Sequence, residues 1–218
     1  KQKTAYEIYQ CDWSSDVCSS DLTSTGEVWS GYMSNVRITK GQALYTSAFT
    51  PSTSPLTTTS QGATAANVSL LTCQSSTFID NSTNNFTITP ATTTVKPMPV
   101  SPFTPTAGSV ISYSPSVFSG SSYFDGTGDY LTSPDSDAYD LSSTNFTLEA
   151  WIYITATPAS SGGIIGKQRG AGVYGEYAFM INSSRQLSFG ATTGGEGASW
   201  TLTSLTGSTA MALNTWYH

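Results

Sequence analysis

Histidine is almost missing from this chain: among 218 residues there is one, His218, and it comes last. A Ser/His/Asp or Cys/His catalytic set cannot be assembled around a single terminal imidazole, and a metal site of the His/Cys kind is excluded with it. Charge is scarce as well. Only 10% of residues are Asp, Glu, Lys or Arg, the formal net charge is −6, and the eight basic residues are scattered. No basic tract is available to follow a phosphate backbone, which argues against nucleic acid as a partner. No apolar run reaches the roughly 18 residues of a membrane helix, so membrane insertion is not expected, and no stretch shows a helical period. Cysteine is limited to three: Cys11 and Cys18 fall in the first 22 residues, and Cys73 sits in an apolar run, where a buried structural thiol is expected.

Short β-branched and aromatic runs fill the chain instead, separated by Ser, Thr, 19 Gly and 10 Pro, with 38% hydrophobic residues in all. Such punctuation predicts an all-β antiparallel sandwich. The best strand starts at Phe146. There Phe146, Leu148, Ala150, Ile152 and Ile154 alternate with Thr147, Glu149, Trp151 and Tyr153, the two-residue period of a pleated strand. The first set makes a core face. The second, a carboxylate flanked by two large aromatics, is too apolar for open solvent and too polar for a sealed interior. It reads as a ligand-facing surface, with Glu149, Trp151 and Tyr153 as candidate sugar-binding residues and Tyr177 and Phe179 as neighbours. Trp151 as core beneath a covering loop is the alternative, and Trp29, Trp200 and Trp216 share that ambiguity. Upstream, Phe124-Asp125-Gly126-Thr127-Gly128-Asp129-Tyr130-Leu131 sets two aspartates beside two glycines, the chemistry of tight turns.

The first 22 residues, KQKTAYEIYQCDWSSDVCSSDL, have no apolar period and no turn logic. Back-translated, they resemble the two constant arms of a short-read sequencing index primer, with Tyr9 and Gln10 in the index. An acidic arm closed by a Cys11–Cys18 disulfide is the alternative. Residues 1–22 are therefore set apart as a sequencing-adapter artefact, and the chain is expected to be a fragment translated from assembled DNA, its natural N-terminus lying elsewhere. In 23–58, Val28, Ser30 and Tyr32 alternate against Trp29, Gly31 and Met33 ahead of Val36-Arg37-Ile38. This predicts one strand or two in line, with Gly31 as a candidate bulge. Residues 59–68 have linker composition. A strand is expected over 70–74, then a polar turn within 78–89. Pro90, Pro97, Pro99, Pro102, Pro105 and Pro115 exclude a central strand from 90–118 and predict an extended surface connection. Further strands are expected at 163–167, at 177–181 and 186–189 as a hairpin, at 200–205, and from Thr215.

The turn F-D-G-x-x-D-Y-L over 124–131, the acidic loop after it and the F-T-x-E-x-W strand from Phe146 resemble the laminin-G-like branch of the concanavalin A-like jelly-roll family. The run G-Y-x-S-N-x-R-I-x-K-G-x-A-x-Y from Gly31 to Tyr45, followed by F-T-P-x-x-x-P-L, is similar to that family's closing strand and exit loop. The resemblance implies an incomplete jelly roll: 23–58 would end one repeat, 59–68 would link, and 69–218 would supply the first two-thirds of the next. Residues 27–40 are then expected beside 70–74, in the place of a closing strand, as in a circular permutation.

Glucanases of this fold use E-x-D-x-E or E-x-D-x-x-E, which set two carboxylates about 5 to 5.5 Å apart in the retaining mechanism. Neither spacing occurs, and Glu149 has no acidic partner at 147, 151 or 153, so no enzyme is expected. Calcium at a loop rim is the one cofactor the resemblance suggests. Asp125, Asp129, Asp135 and Asp137 are its candidate ligands, with Asp140 and Asp80 nearby, against the alternative that these aspartates only cap turns. Sequons at Asn67, Asn81, Asn85, Asn145 and Asn182 arise readily in so Asn/Ser/Thr-rich a chain and carry little weight. The expected role is non-catalytic binding or adhesion in a tandem-repeat extracellular, cell-surface or phage tail protein. Its partners would be glycans or a cell-surface receptor and its own neighbouring repeats. A purely structural spacer comes second and a glycosidase-like jelly roll third.

Overall fold

The computed structural model describes residues 17–19, 29–103, 114–141, 144–169, 173–192 and 202–218. Residues 1–16, Val28, Pro105 and Trp200 lie outside the described residues. The described strands are β1 (Val17–Ser19), β2 (Ser30–Lys40), β3 (Val68–Thr72), β4 (Thr89–Pro90), β5 (Lys96–Met98), β6 (Ser121–Asp125), β7 (Leu131–Ser133), β8 (Phe146–Ile154), β9 (Ser161–Arg169), β10 (Val173–Asn182), β11 (Gln186–Ala191), β12 (Leu202–Ala210) and β13 (Trp216–Tyr217). They form a seven-stranded sheet in the order β12-β11-β10-β9-β1-β7-β4 and a six-stranded sheet in the order β13-β8-β2-β6-β5, with β3 also pairing β2. Every pairing is antiparallel. The fold is the expected all-β sandwich. Its core joins Met33, Val36 and Ile38 of β2 and Ile152 and Ile154 of β8 to Ile164 and Ile165 of β9 and Tyr177 and Ile181 of β10.

The central position of β2 explains its sequence. Trp29 and Met33 face the core at odd positions, whereas Val36 and Ile38 do so at even ones. A two-residue period cannot change parity unless one residue is added, and the added residue is Asn35. Against β8 the register steps from Ser34↔Trp151 to Arg37↔Glu149, three residues on β2 against two on β8. Asn35 takes φ 51, a left-handed conformation that asparagine tolerates better than most residues. Its buried side chain donates to Ser119 Oγ and accepts from Leu56 N and Gln74 Nε2, locking the bulge in place. The bulge is thus at Asn35 rather than Gly31. Gly31 answers a different need: a Cβ there would lie 2.0 Å from the Tyr153 carbonyl oxygen, and its φ is 142. Only glycine lets β2 approach β8 so closely.

β3 lies beside the second half of β2, with Val36↔Thr72 and Ile38↔Leu70 as direct partners, as expected for 27–40 and 70–74. The strand ends at Cys73, buried and at φ 60; burial raises its thiol pKa to about 11. The proline-rich stretch behaves as its missing N–H groups require: β4 and β5 are two and three residues long and sit at the outer edges of the two sheets. Val17–Ser19, from the primer-like stretch, runs between β9 and β7. That ladder is made by main-chain groups, which any extended residue but proline can supply.

Candidate ligand-binding face

The outer face of the six-stranded sheet carries Glu149, Trp151 and Tyr153, and chain folding gives the three different fates. At the Glu149 end the segment following β2 folds back over the sheet. Leu44, Leu56 and Ala63 pack there on Val68 and Leu71 as a small second core. Beneath this cover Glu149 is only 4% exposed and Arg37, its direct cross-strand neighbour, is fully buried. Arg37 Nε donates to Glu149 Oε1 at 2.6 Å, and Nη1 donates to the carbonyls of Thr57 and Ser60 at 2.7 and 3.0 Å. Tyr45 donates its hydroxyl to Glu149 Oε2 at 2.5 Å, and His218 Nε2 lies 3.2 Å from the same oxygen. Burial on its own would raise the Glu149 pKa, but the imidazole, the guanidinium and the phenol together hold it below the usual carboxylate range. Glu149 is therefore an anchor for the covering loop, and the candidate role in ligand binding is corrected accordingly.

Trp151 stands at the boundary. Its ring meets Phe103 edge-on at 5.4 Å and tilts against His218 at 5.2 Å, leaving it part-buried. Phe103 and His218 are contacts of the covering kind that the core alternative for Trp151 implies. Tyr177 and Phe179 do not join this face: Tyr177 belongs to the core between the sheets and Phe179 packs against that core. A cavity of about 600 Å³ also opens between the sheets, but Leu148, Ile152, Ile164, Phe179 and Met211 give it mainly apolar walls.

Tyr153 lies at the other end, part-exposed, in company that sequence spacing alone did not reveal. It is directly paired with Tyr32 on β2 and with Trp216 on β13, and Tyr32 is directly paired with Tyr123 on β6. The row Tyr123, Tyr32, Tyr153, Trp216 crosses four strands with ring centroids 5.1, 5.6 and 5.4 Å apart, all four residues part-exposed. Cross-strand partners point to the same face, so the row is continuous. Exposed Lys96, paired with Tyr123, prolongs it. Two residues along each strand, on the same face, come Asp125, Ser30 and Thr155; Ser30 and Thr155 share a hydroxyl hydrogen bond of 3.0 Å. An aromatic strip bordered by hydroxyls and a carboxylate results. The one hint in sequence was that Tyr153 stands between Ile152 and Ile154 and Tyr32 beside Met33; the alignment of the row depends on register.

The four candidate calcium ligands are not brought together. Asp125 Oδ1 accepts from Thr127 N at 2.7 Å in its own turn. Asp129, 3% exposed, accepts from the hydroxyls of Thr92 and Thr94 and from Asp125 N; burial would raise its pKa, and these donors outweigh that and lower it. Asp137 opens a short 3-10 turn, with Ser136 as its cap. Asp135 faces Lys167 Nζ at 3.2 Å, together with Asp140 and, at 3.7 Å, Glu176. The cation among these three carboxylates is the protein's own ammonium. Asp80 likewise organises a turn, accepting from Leu71 N, Ser82 N and Phe86 N. Among the described residues no group of three His, Cys, Asp or Glu side chains is placed to hold a metal ion, so the aspartates act as turn and ion-pair residues and do not fit a calcium site.

An antiparallel sandwich with this outer face defines a lectin-like or structural β-domain. Residues 125–218, less than half of the chain, match a laminin-G-type family model described as the concanavalin A-like lectin/glucanases superfamily. Neither a curated protein nor a solved structure matches the chain significantly.

Proposed function

We propose that this chain is a non-catalytic glycan-binding module of an extracellular, cell-surface or virion-exposed adhesive protein, and that it holds its ligand along the row Tyr123, Tyr32, Tyr153, Trp216. The observation that carries the proposal is the part-exposure of four directly paired aromatics on one face of the six-stranded sheet. Flat rings offer the apolar surface on which a sugar ring stacks, and they lose little conformational freedom in doing so. Asp125, Ser30 and Thr155 border the row and supply acceptors and donors for hydroxyls. Glu149, the carboxylate of the F-T-x-E-x-W strand, is engaged by Arg37 and Tyr45, which supports binding over hydrolysis.

A glycan array probed with the full chain, with and without calcium, tests the proposal, with Tyr153→Ala and Trp216→Ala as variants. Calcium-independent binding that falls at least about tenfold in either variant, at unchanged melting temperature, is the expected outcome. A folded chain that binds no glycan would sink the idea and favour a spacer whose aromatic row serves only cross-strand packing.

A further inference from the structure

We propose that β2 is an exchangeable strand, and that a second copy of this chain can insert its own β2 into the slot between β8 on one side and β3 and β6 on the other. The inference is independent of glycan binding. β2 is the first strand of its sheet in sequence, yet all three of its partners come later in the chain. Among the described strands no other pairing joins β13 and β8 to β3 or to β6 and β5, so the slot is a complete receptor for one extended segment. Residues 41–67 connect β2 to β3. Leu56, Thr57 and Ser60 stay over the slot as partners of Asn35 and Arg37, so the stretch that opens is the one next to β2, and β1, which precedes β2 and pairs with β9 and β7, crosses with it.

The slot also states which strand it accepts. Glu149, 4% exposed, needs a cation in register, and Arg37, fully buried, supplies it. Two residues before Arg37, Asn35 satisfies Ser119 Oγ, Leu56 N and Gln74 Nε2. An incoming strand without the Asn-x-Arg pattern would leave the buried Glu149 without its guanidinium and Leu56 N without its side-chain acceptor, a heavy penalty in a closed site. A second copy carries the pattern by construction. Exchange replaces each contact with an identical one, the condition under which swapped dimers form.

Charge reversal in the full chain tests this. Arg37→Glu places two carboxylates in the slot and Glu149→Arg places two cations there, so each variant alone is expected to be destabilised. Unfolded together in equal amounts and refolded, they should give a one-to-one dimer by native mass spectrometry. In it, Arg37 of the Glu149→Arg chain enters the slot that still holds Glu149. That mixed dimer should exceed either self-dimer by about tenfold or more. A parallel measurement needs no substitution: isotopically light and heavy wild-type chains, refolded together at rising concentration, should yield mixed dimers that persist on dilution. The proposal is overturned if the variant mixture forms no mixed dimer, whether or not the wild-type chains associate. It is equally overturned if mixed dimers appear but retain the low stability of the single variants.

Discussion

Arg37→Met isolates the contribution of the buried ion pair. Methionine keeps the length and most of the apolar bulk of the arginine stem, so the change removes the charge and its hydrogen bonds while leaving little new space. What it leaves behind is Glu149, 4% exposed, without the guanidinium 2.6 Å away, and the carbonyls of Thr57 and Ser60 without their donor. Breaking a buried pair by removing one partner costs about 3–5 kcal/mol, a large part of the roughly 5–15 kcal/mol that holds a domain together. With a urea slope near 2 kcal/mol/M, the unfolding midpoint should fall by on the order of 2 M. Adding Glu149→Leu removes the stranded charge, so the double variant should regain much of the loss.

The pH dependence has a definite sign. In the wild type the Glu149 pKa is lowered by folding, so its contribution is present above the ordinary carboxylate value of about 4.3 and is lost as pH falls through the lower folded value. In Arg37→Met one of the groups that hold this pKa down is removed, the carboxyl accepts a proton more readily, and the deficit relative to wild type should narrow as pH falls through the carboxylate range. A single variant within about 0.5 kcal/mol of wild type, or a double variant no more stable than the single, would refute the account of Arg37 and Glu149 as a mutually dependent buried pair.

Lys167→Met should lower stability at neutral pH by about 1–3 kcal/mol, since Asp135, Asp140 and Glu176 then repel one another with partial screening by solvent. Burial alone would lower the Lys167 pKa, but these carboxylates raise it, so its contribution is complete below the ordinary lysine value of about 10.4 and is lost as pH rises through the folded value. Alkaline melting curves should show a drop in wild type that Lys167→Met lacks. Gly31→Ala should cost about 3 kcal/mol or more, because its Cβ would meet the Tyr153 carbonyl oxygen at 2.0 Å at a φ of 142. Near-UV circular dichroism of the Tyr32 and Tyr153 pair should change with it, and an unchanged melting temperature would show that β2 and β8 can separate without loss.

Much of the fold was legible because alternation is a local signal. Phe146 to Ile154 forms β8 with Ala150, Ile152 and Ile154 inward, and the hairpin of β10 and β11 turns at Asn182 to Arg185 as the residues there suggest. Prolines excluded a central strand from 90–118 because a missing N–H is a property of one residue, although the short edge strands β4 and β5 replace part of the extended connection expected there. The site was less legible. Glu149 and Trp151 were placed on the correct face of their strand, but whether that face is open depends on where the segment after β2 lands. A lone charge between Val36 and Ile38 was a signal that Arg37 needs a buried partner; the partner sits more than a hundred residues away.

Sequence by itself thus determined the strand content, the inward and outward sets along β8, the turn chemistry of Asp125 and Asp129, and the resemblance of its second half to a laminin-G-like sandwich. Each depends on neighbours within a few residues, where pleat and turn geometry are fixed. Tertiary structure alone decided that Tyr123, Tyr32, Tyr153 and Trp216 form one row, that Lys167 stands among carboxylates once plausible as calcium ligands, and that Glu149 lies under a loop rather than against a ligand. Those outcomes rest on register between strands distant in sequence, and a bulge of one residue at Asn35 is enough to reset which side chains meet.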